Sequence, residues 1–157
     1  MVAPSPKFKE ALQRAGRFCA LRERSPSEVI EKVQSWGYST NDAEEVVAKL
    51  IEMNYINEQR FANAYCHDKF EFNSWGKQKI KAAIYQHHLP SEVIENALNR
   101  IDSERYEARL LEIAQKKWQK LKSELPTKKK QKTVNYLTGK GYEIHLIWKT
   151  IDHLEKT

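Results

Sequence analysis

At 157 residues with a formal net charge of +6 and 31% charged side chains, the chain can form one compact domain or a short array of small helical units. Mean hydropathy is −0.76, the start MVAPSPKFKE has no apolar core of signal-peptide length, and no apolar run approaches the ~20 residues of a membrane span, so no membrane association and a cytoplasmic location are expected. Five glycines and five prolines leave little room for hairpins or a Gly-rich loop, and the chain reads as all-α.

In chain order, residues 1–7 read as an N-terminal tail. A first helix over about 8–23 carries Phe8, Leu12, Ala15 and Phe18–Cys19. Ser25-Pro26-Ser27-Glu28 supplies an N-cap serine, a proline at N1 and a glutamate at N3, a strong helix start. That helix closes at Gly37-Tyr38, and a third carries Ala43, Val47 and Leu50 on one face. The next helix, about 57–72, carries Phe61, Ala64, Tyr65 and Phe72. Ser74 stands where a cap is expected, Ile84 and Leu89 follow, and Ile94, Leu98 and Ile101 repeat the earlier trio. Residues 103–122 carry Tyr106, Leu110, Ile113 and Trp118. Thr127 is the third expected cap, and Leu137, Gly141-Tyr142, then Ile147, Ile151 and Leu154 complete the pattern. Gly37 and Gly141 suit left-handed helix ends, with His88 in the matching place.

Aligned on Tyr38, Leu89 and Tyr142, the apolar positions recur three times at the same offsets. Recurrence at this period implies stacked units: three tandem three-helix repeats, 8–54, 55–102 and 103–157, forming an elongated, curved array whose small cores lean on one another.

Charge is unevenly spread. Residues 116–132 hold eight lysines against Glu124 alone, whereas residues 25–73 are net acidic. Lys77, Lys79 and Lys81 open the second helix of unit two, and Lys128, Lys129, Lys130 and Lys132 that of unit three. Counted from the expected caps, Lys77 and Lys130 occupy the N3 place that Glu28 holds in unit one. Lysines in a first turn oppose the helix dipole by about 0.3–1 kcal/mol each, a conflict that an anion at the helix start would relieve. A solvated basic face is the competing reading, and the weighing is close to even. Lys116, Lys117 and Lys120 extend the basic region. Trp75, followed by lysines, is the best base-stacking candidate among four tryptophans that more often serve as core.

With these residues in view, the chain resembles the RecX family of regulatory proteins, which modulate the RecA recombinase. The likeness is carried by Arg22-Glu23-Arg24-Ser25 with Glu28, by Tyr55-Ile56-Asn57-Glu58, Arg60-Phe61-Ala62 and Ala64-Tyr65 with Gly76, and by Lys130-Gln131-Lys132, Tyr136-Leu137 and Lys140-Gly141-Tyr142. It spans about residues 20–157. The family's usual Glu-Leu and Lys-Gly at the end of the central helix are replaced here by Ala83-Ile84 and His87-His88. The resemblance implies a monomer of three tandem three-helix repeats, bound in the groove of a RecA filament on single-stranded DNA. It also implies limits on filament extension, ATP hydrolysis, strand exchange and co-protease activity. Arg22, Arg24 and Arg60 lie in its motifs; each could equally hold helices together through carboxylates.

Catalysis, cofactors and metals are not expected. Gly139-Lys140-Gly141 lacks the rest of a phosphate loop. The five histidines (67, 87, 88, 145, 153) form no i,i+4 pair, and Cys19 and Cys66 have no ligand spacing, which fits a reducing compartment. Nothing places a nucleophile beside a base. The alternatives to filament regulation are a general nucleic-acid-binding helical module without a recombinase partner, and a protein–protein adaptor whose lysines only keep it soluble.

Overall fold

The computed structural model describes residues 5–157, and among these it is helical throughout. Unit one contains α1 (Pro6–Leu21), α2 (Pro26–Ser35) and α3 (Thr40–Glu52); unit two contains α4 (Glu58–Asn73), α5 (Lys77–Ile84) and α6 (Ser91–Asn99); unit three contains α7 (Ser103–Lys120), α8 (Pro126–Gly139) and α9 (Ile144–Glu155). Among the described residues no helix is long and apolar enough to cross a membrane. Helix α1 begins at Pro6 with Ser5 accepting from the Phe8 amide, so the last residues of the expected tail are helical; residues 1–4 lie outside the described residues.

The repeated apolar ladder is the core. Val33, Ile84 and Leu137 are fully buried, and all nine members of the trios in α3, α6 with Ile101, and α9 are buried. Gly37 and Gly141 have φ of 97°, and His88 takes a left-handed φ of 56° after a single 3₁₀ turn, Tyr85–His87. One stripe residue is misplaced: Phe72 is exposed, and α4 instead buries Phe61, Ala62, Cys66 and Phe70. The i,i+4 step from Ala62 through Cys66 to Phe70 sets that face, which is turned away from Phe72.

Caps divide in the same way. Ser25 forms a full capping box with Glu28. Ser74, expected to cap α5, instead ends α4 with a left-handed φ of 57°, and Gly76 is the N-cap. Thr127 is likewise not a cap; it follows Pro126, the first residue of α8, and Leu125 precedes the helix. A proline at N1 fixes where a helix begins, and at α5 the start is fixed by tertiary contact.

Units two and three share one continuous core, from Phe61 to Leu154, while unit one has its own, from Ala11 to Ile56. At the second junction Gly76 lies against Gly141. A Cβ on Gly76 would overlap the Gly141 carbonyl, and one on Gly141 would overlap Lys79. The Gly76 amide donates to the Lys140 carbonyl at 2.8 Å and the Gln78 amide to the Gly141 carbonyl at 3.0 Å. Buried Tyr142 donates to the Ser74 carbonyl at 2.9 Å. At the first junction the bonds involve side chains: Ser25 Oγ with His87 Nδ1 (2.8 Å), Ser27 Oγ to the His87 carbonyl (3.0 Å), and Arg60 with Glu23. No hydrogen bond or ion pair among the described residues joins unit one to unit three. The exposed surface of 10021 Å² exceeds the roughly 8,200 Å² of a compact monomer of this mass, as an extended array requires.

Candidate functional site

The start of α5 is not an open anion site. Its first amides are taken by unit three: Gly76 and Gln78 as above, and Lys77 by the Tyr106 hydroxyl at 2.8 Å. Tyr106 in turn donates to the Glu143 carboxylate, and burial followed by that bond raises its pKa well above the usual phenol range. The helix dipole that was expected to attract phosphate is therefore answered by carbonyls and a buried hydroxyl.

The three lysines of that helix also separate. Lys77 Nζ lies 5.0 Å from the Tyr106 ring centre, Lys79 Nζ lies 4.6 Å from that of Trp75, and Lys81 pairs with Glu95 at 2.7 Å. They are not one stripe. The half-buried Trp75 also has Lys69 Nζ 4.9 Å from its ring centre, so it is a ring held by two cations and not a bare stacking platform. The corrected caps change the N3 residues to Lys79 and Lys128, yet a lysine still occupies N3 in both helices.

The motif arginines are structural in their contacts. Arg24 is 9% exposed, with its guanidinium 3.7 Å from the Phe18 ring centre and Nε donating to the Phe18 carbonyl. Arg60 is held by Glu23, Asn54 and the Tyr55 carbonyl. Arg22 pairs with Glu28 at 2.7 Å but remains more than half exposed. In unit three, Lys130 pairs with Glu155 and Lys132 with Glu124, a contact that holds the partly buried Glu124 carboxyl below its usual range. Lys128 is exposed at the start of α8, which has no side-chain cap, and Lys129 Nζ lies 4.1 Å from the Trp118 ring centre.

Four lysines do converge. Lys116, Lys117 and Lys120 from the end of α7, with Lys140 beyond α8, line a cavity of about 260 Å³ at the junction of units two and three. Asn73 and Ser74 form its polar wall, Ile113 and Tyr136 its apolar one, and no carboxylate lines it. Lys117 Nζ sits 4.9 Å from the Tyr136 ring centre, and Lys140 donates to the Asn73 carbonyl at 3.2 Å. Of the four, only Lys116 has a carboxylate within ion-pair distance among the described residues, Glu112 at 3.4 Å. Like charges gathered around a concavity raise its positive potential and favour anions there.

Lys140 and Lys69 were missed as candidates, although Lys140 stands in the Lys140-Gly141-Tyr142 motif. The role of His87 at the first junction was also missed; its only sequence signal was the departure from the family pattern at His87-His88.

Three models of the RecX family match the chain in tandem: the first three-helix domain over residues 11–50, the second over 57–98 and the third over 104–151. The chain belongs to the RecX family. It is 28% identical over 146 residues to the regulatory protein RecX of Prosthecochloris aestuarii, covering 93% of this chain and 94% of that protein. To the regulatory protein RecX of Clostridium beijerinckii it is 29% identical over 143 residues, covering 90% of this chain but 66% of that longer protein. The crystal structure of RecX from Lactobacillus salivarius superposes with a TM-score of 0.87 at 20% identity, covering 96% of this chain and 97% of that one. A second RecX crystal structure gives 0.84 at 19% identity, over 92% and 71%. These likenesses establish the fold of tandem three-helix repeats and membership in a family of regulatory proteins.

Proposed function

We propose that this RecX family member acts as a monomer on the RecA recombinase filament assembled on single-stranded DNA. It restrains filament extension, ATP hydrolysis, and recombinase and co-protease activity, with backbone phosphates passing over units two and three. The observation that carries this reading is the cavity where Lys116, Lys117, Lys120 and Lys140 meet without a lining carboxylate. Ammonium groups on flexible stems suit a polyanion read by charge and not by sequence. An extended array of linked units suits contact with several protomers of a helical polymer.

The deciding experiment titrates the protein into a cognate RecA–poly(dT) filament and follows ATP hydrolysis. Substoichiometric slowing is expected; unchanged hydrolysis by a folded protein over a wide range of ratios sinks the reading. Salt-dependent oligonucleotide binding without any effect on the filament would identify a general nucleic-acid-binding module instead. The double substitution Lys116→Glu with Lys120→Glu should weaken inhibition while helicity survives. It should also lower the salt slope for single-stranded DNA by about 0.7 per lost contact. An unaltered slope removes the cavity from the interface.

A further inference from the structure

A second concavity, of about 890 Å³, opens on unit one between the C-terminal half of α1 and the turn from α3 to α4. Its chemistry differs from that of the lysine cavity. The floor includes Leu12 and Leu50, and Met53 and Tyr55 on the rim are 42% and 50% exposed. Arg17, Arg22 and Arg60 project into the lining, whose single carboxylate, Glu23, is already held by Arg60. Arg17 is exposed and makes no ion pair among the described residues. Gly16 lies in the middle of α1 with nothing within 4 Å of where its Cβ would stand. A glycine inside a helix weakens it, and no close packing here demands one; its visible effect is to deepen the groove.

We propose that this groove docks an apolar, carboxylate-bearing segment of the recombinase, so that unit one grips protein while units two and three meet phosphates. The proposal rests on the functional reading above. Charge complementarity selects the occupant: Arg22 is held by Glu28 and Arg60 by Glu23, which leaves the exposed Arg17 guanidinium beside the apolar floor to match an acidic side chain flanking apolar ones. A nucleic-acid backbone would leave the apolar floor without a matching surface.

The test is the full chain carrying Gly16→Leu, which fills the groove from a helix position with open space, and separately Arg17→Glu beside Arg17→Lys. Each variant is titrated into the cognate RecA–poly(dT) filament, and its affinity for bare poly(dT) is measured in parallel. The expected result is a tenfold or greater rise in the half-inhibiting concentration for Gly16→Leu and Arg17→Glu, near-normal inhibition for Arg17→Lys, and poly(dT) affinity within twofold of the parent. A folded Gly16→Leu protein that inhibits like the parent overturns the proposal while leaving the function standing. Equal loss of inhibition and poly(dT) affinity overturns it too, because the groove would then belong to the nucleic-acid face. A parent dimer seen by sedimentation and abolished by Gly16→Leu assigns the groove to a second copy, and a parent that never slows the filament overturns both readings.

Discussion

The two junctions of the array are built from different materials. Between units one and two the contact is made by side chains: Ser25 and Ser27 with His87, and Arg60 with Glu23. Between units two and three side-chain bonds are also present, from Arg105 and Arg109 to Glu71 and from Tyr142 to the Ser74 carbonyl, but main chain joins them: Gly76 lies against Gly141, with two amide–carbonyl bonds and one uninterrupted apolar core. The same three-helix repeat is thus joined once through side-chain bonds and once through side-chain bonds reinforced by a main-chain contact that tolerates no Cβ at Gly76 or Gly141. Units two and three should open together, and unit one should open at lower free energy, since local stability follows buried contact and backbone protection.

The sharpest way to break that contrast is Gly76→Ala. The added methyl meets the Gly141 backbone, which cannot swing aside as a side-chain end can, so a loss near the upper end of the overpacking range, about 3 kcal/mol, is expected. Calorimetry should show a melting temperature on the order of 10 °C lower, with units two and three affected as a pair. An unchanged melting curve would mean that the close approach is not maintained in solution.

Next in size is Tyr106→Phe. It leaves the Lys77 amide without its acceptor and should cost about 1–3 kcal/mol in urea unfolding. Ser25→Ala removes both the α2 cap and the bond to His87, and should cost about 1–2 kcal/mol. Amide exchange should place that loss in unit one and its junction, leaving α5 and α8 protected. Uniform loss across all three units would erase the difference between the junctions.

The smallest effect is pH. Burial lowers the pKa of His87 below 6.5, with Glu28 opposing and Arg22 assisting, and Glu31 and His88 contributing less. Its folded pKa is below its unfolded one, so the unfolded chain takes up a proton first as pH falls through about 6.5. The first junction therefore keeps its full contribution above that point and loses part of it below. Between pH 7.5 and 5.5, amide protection at the His87 turn should fall, after correction for intrinsic exchange, while the Gly76–Gly141 contact stays unchanged. Equal loss at both junctions would rule out His87 as the cause.

The apolar ladder was legible because burial follows helical period: the trios beginning at Ala43, Ile94 and Ile147 lie inward in all three units. The left-handed closures at Gly37, His88 and Gly141 were legible for the same local reason. Legibility failed where a distant segment decided the outcome. Ser74 lost its capping role because unit three supplies the partners for the α5 amides. Lys81, Lys130 and Lys132 looked like open cations, yet their carboxylates are remote in sequence or across a turn, at Glu95, Glu155 and Glu124. Lys140 joins Lys120 only because α8 folds back along α7, and no periodicity along either helix encodes that approach.

The borrowed ends of α5 bear on how the chain is made. During synthesis unit one emerges complete and carries its own core, but the Gly76 and Gln78 amides at the start of α5 have no partners until residues 140 and 141 have cleared the ribosome. Truncation or stalling before that point should yield a nascent chain with an ordered leading part and an unfinished middle, open to proteolysis and chaperone capture. The lysine-rich stretch 116–132 would be translated while that middle is still waiting.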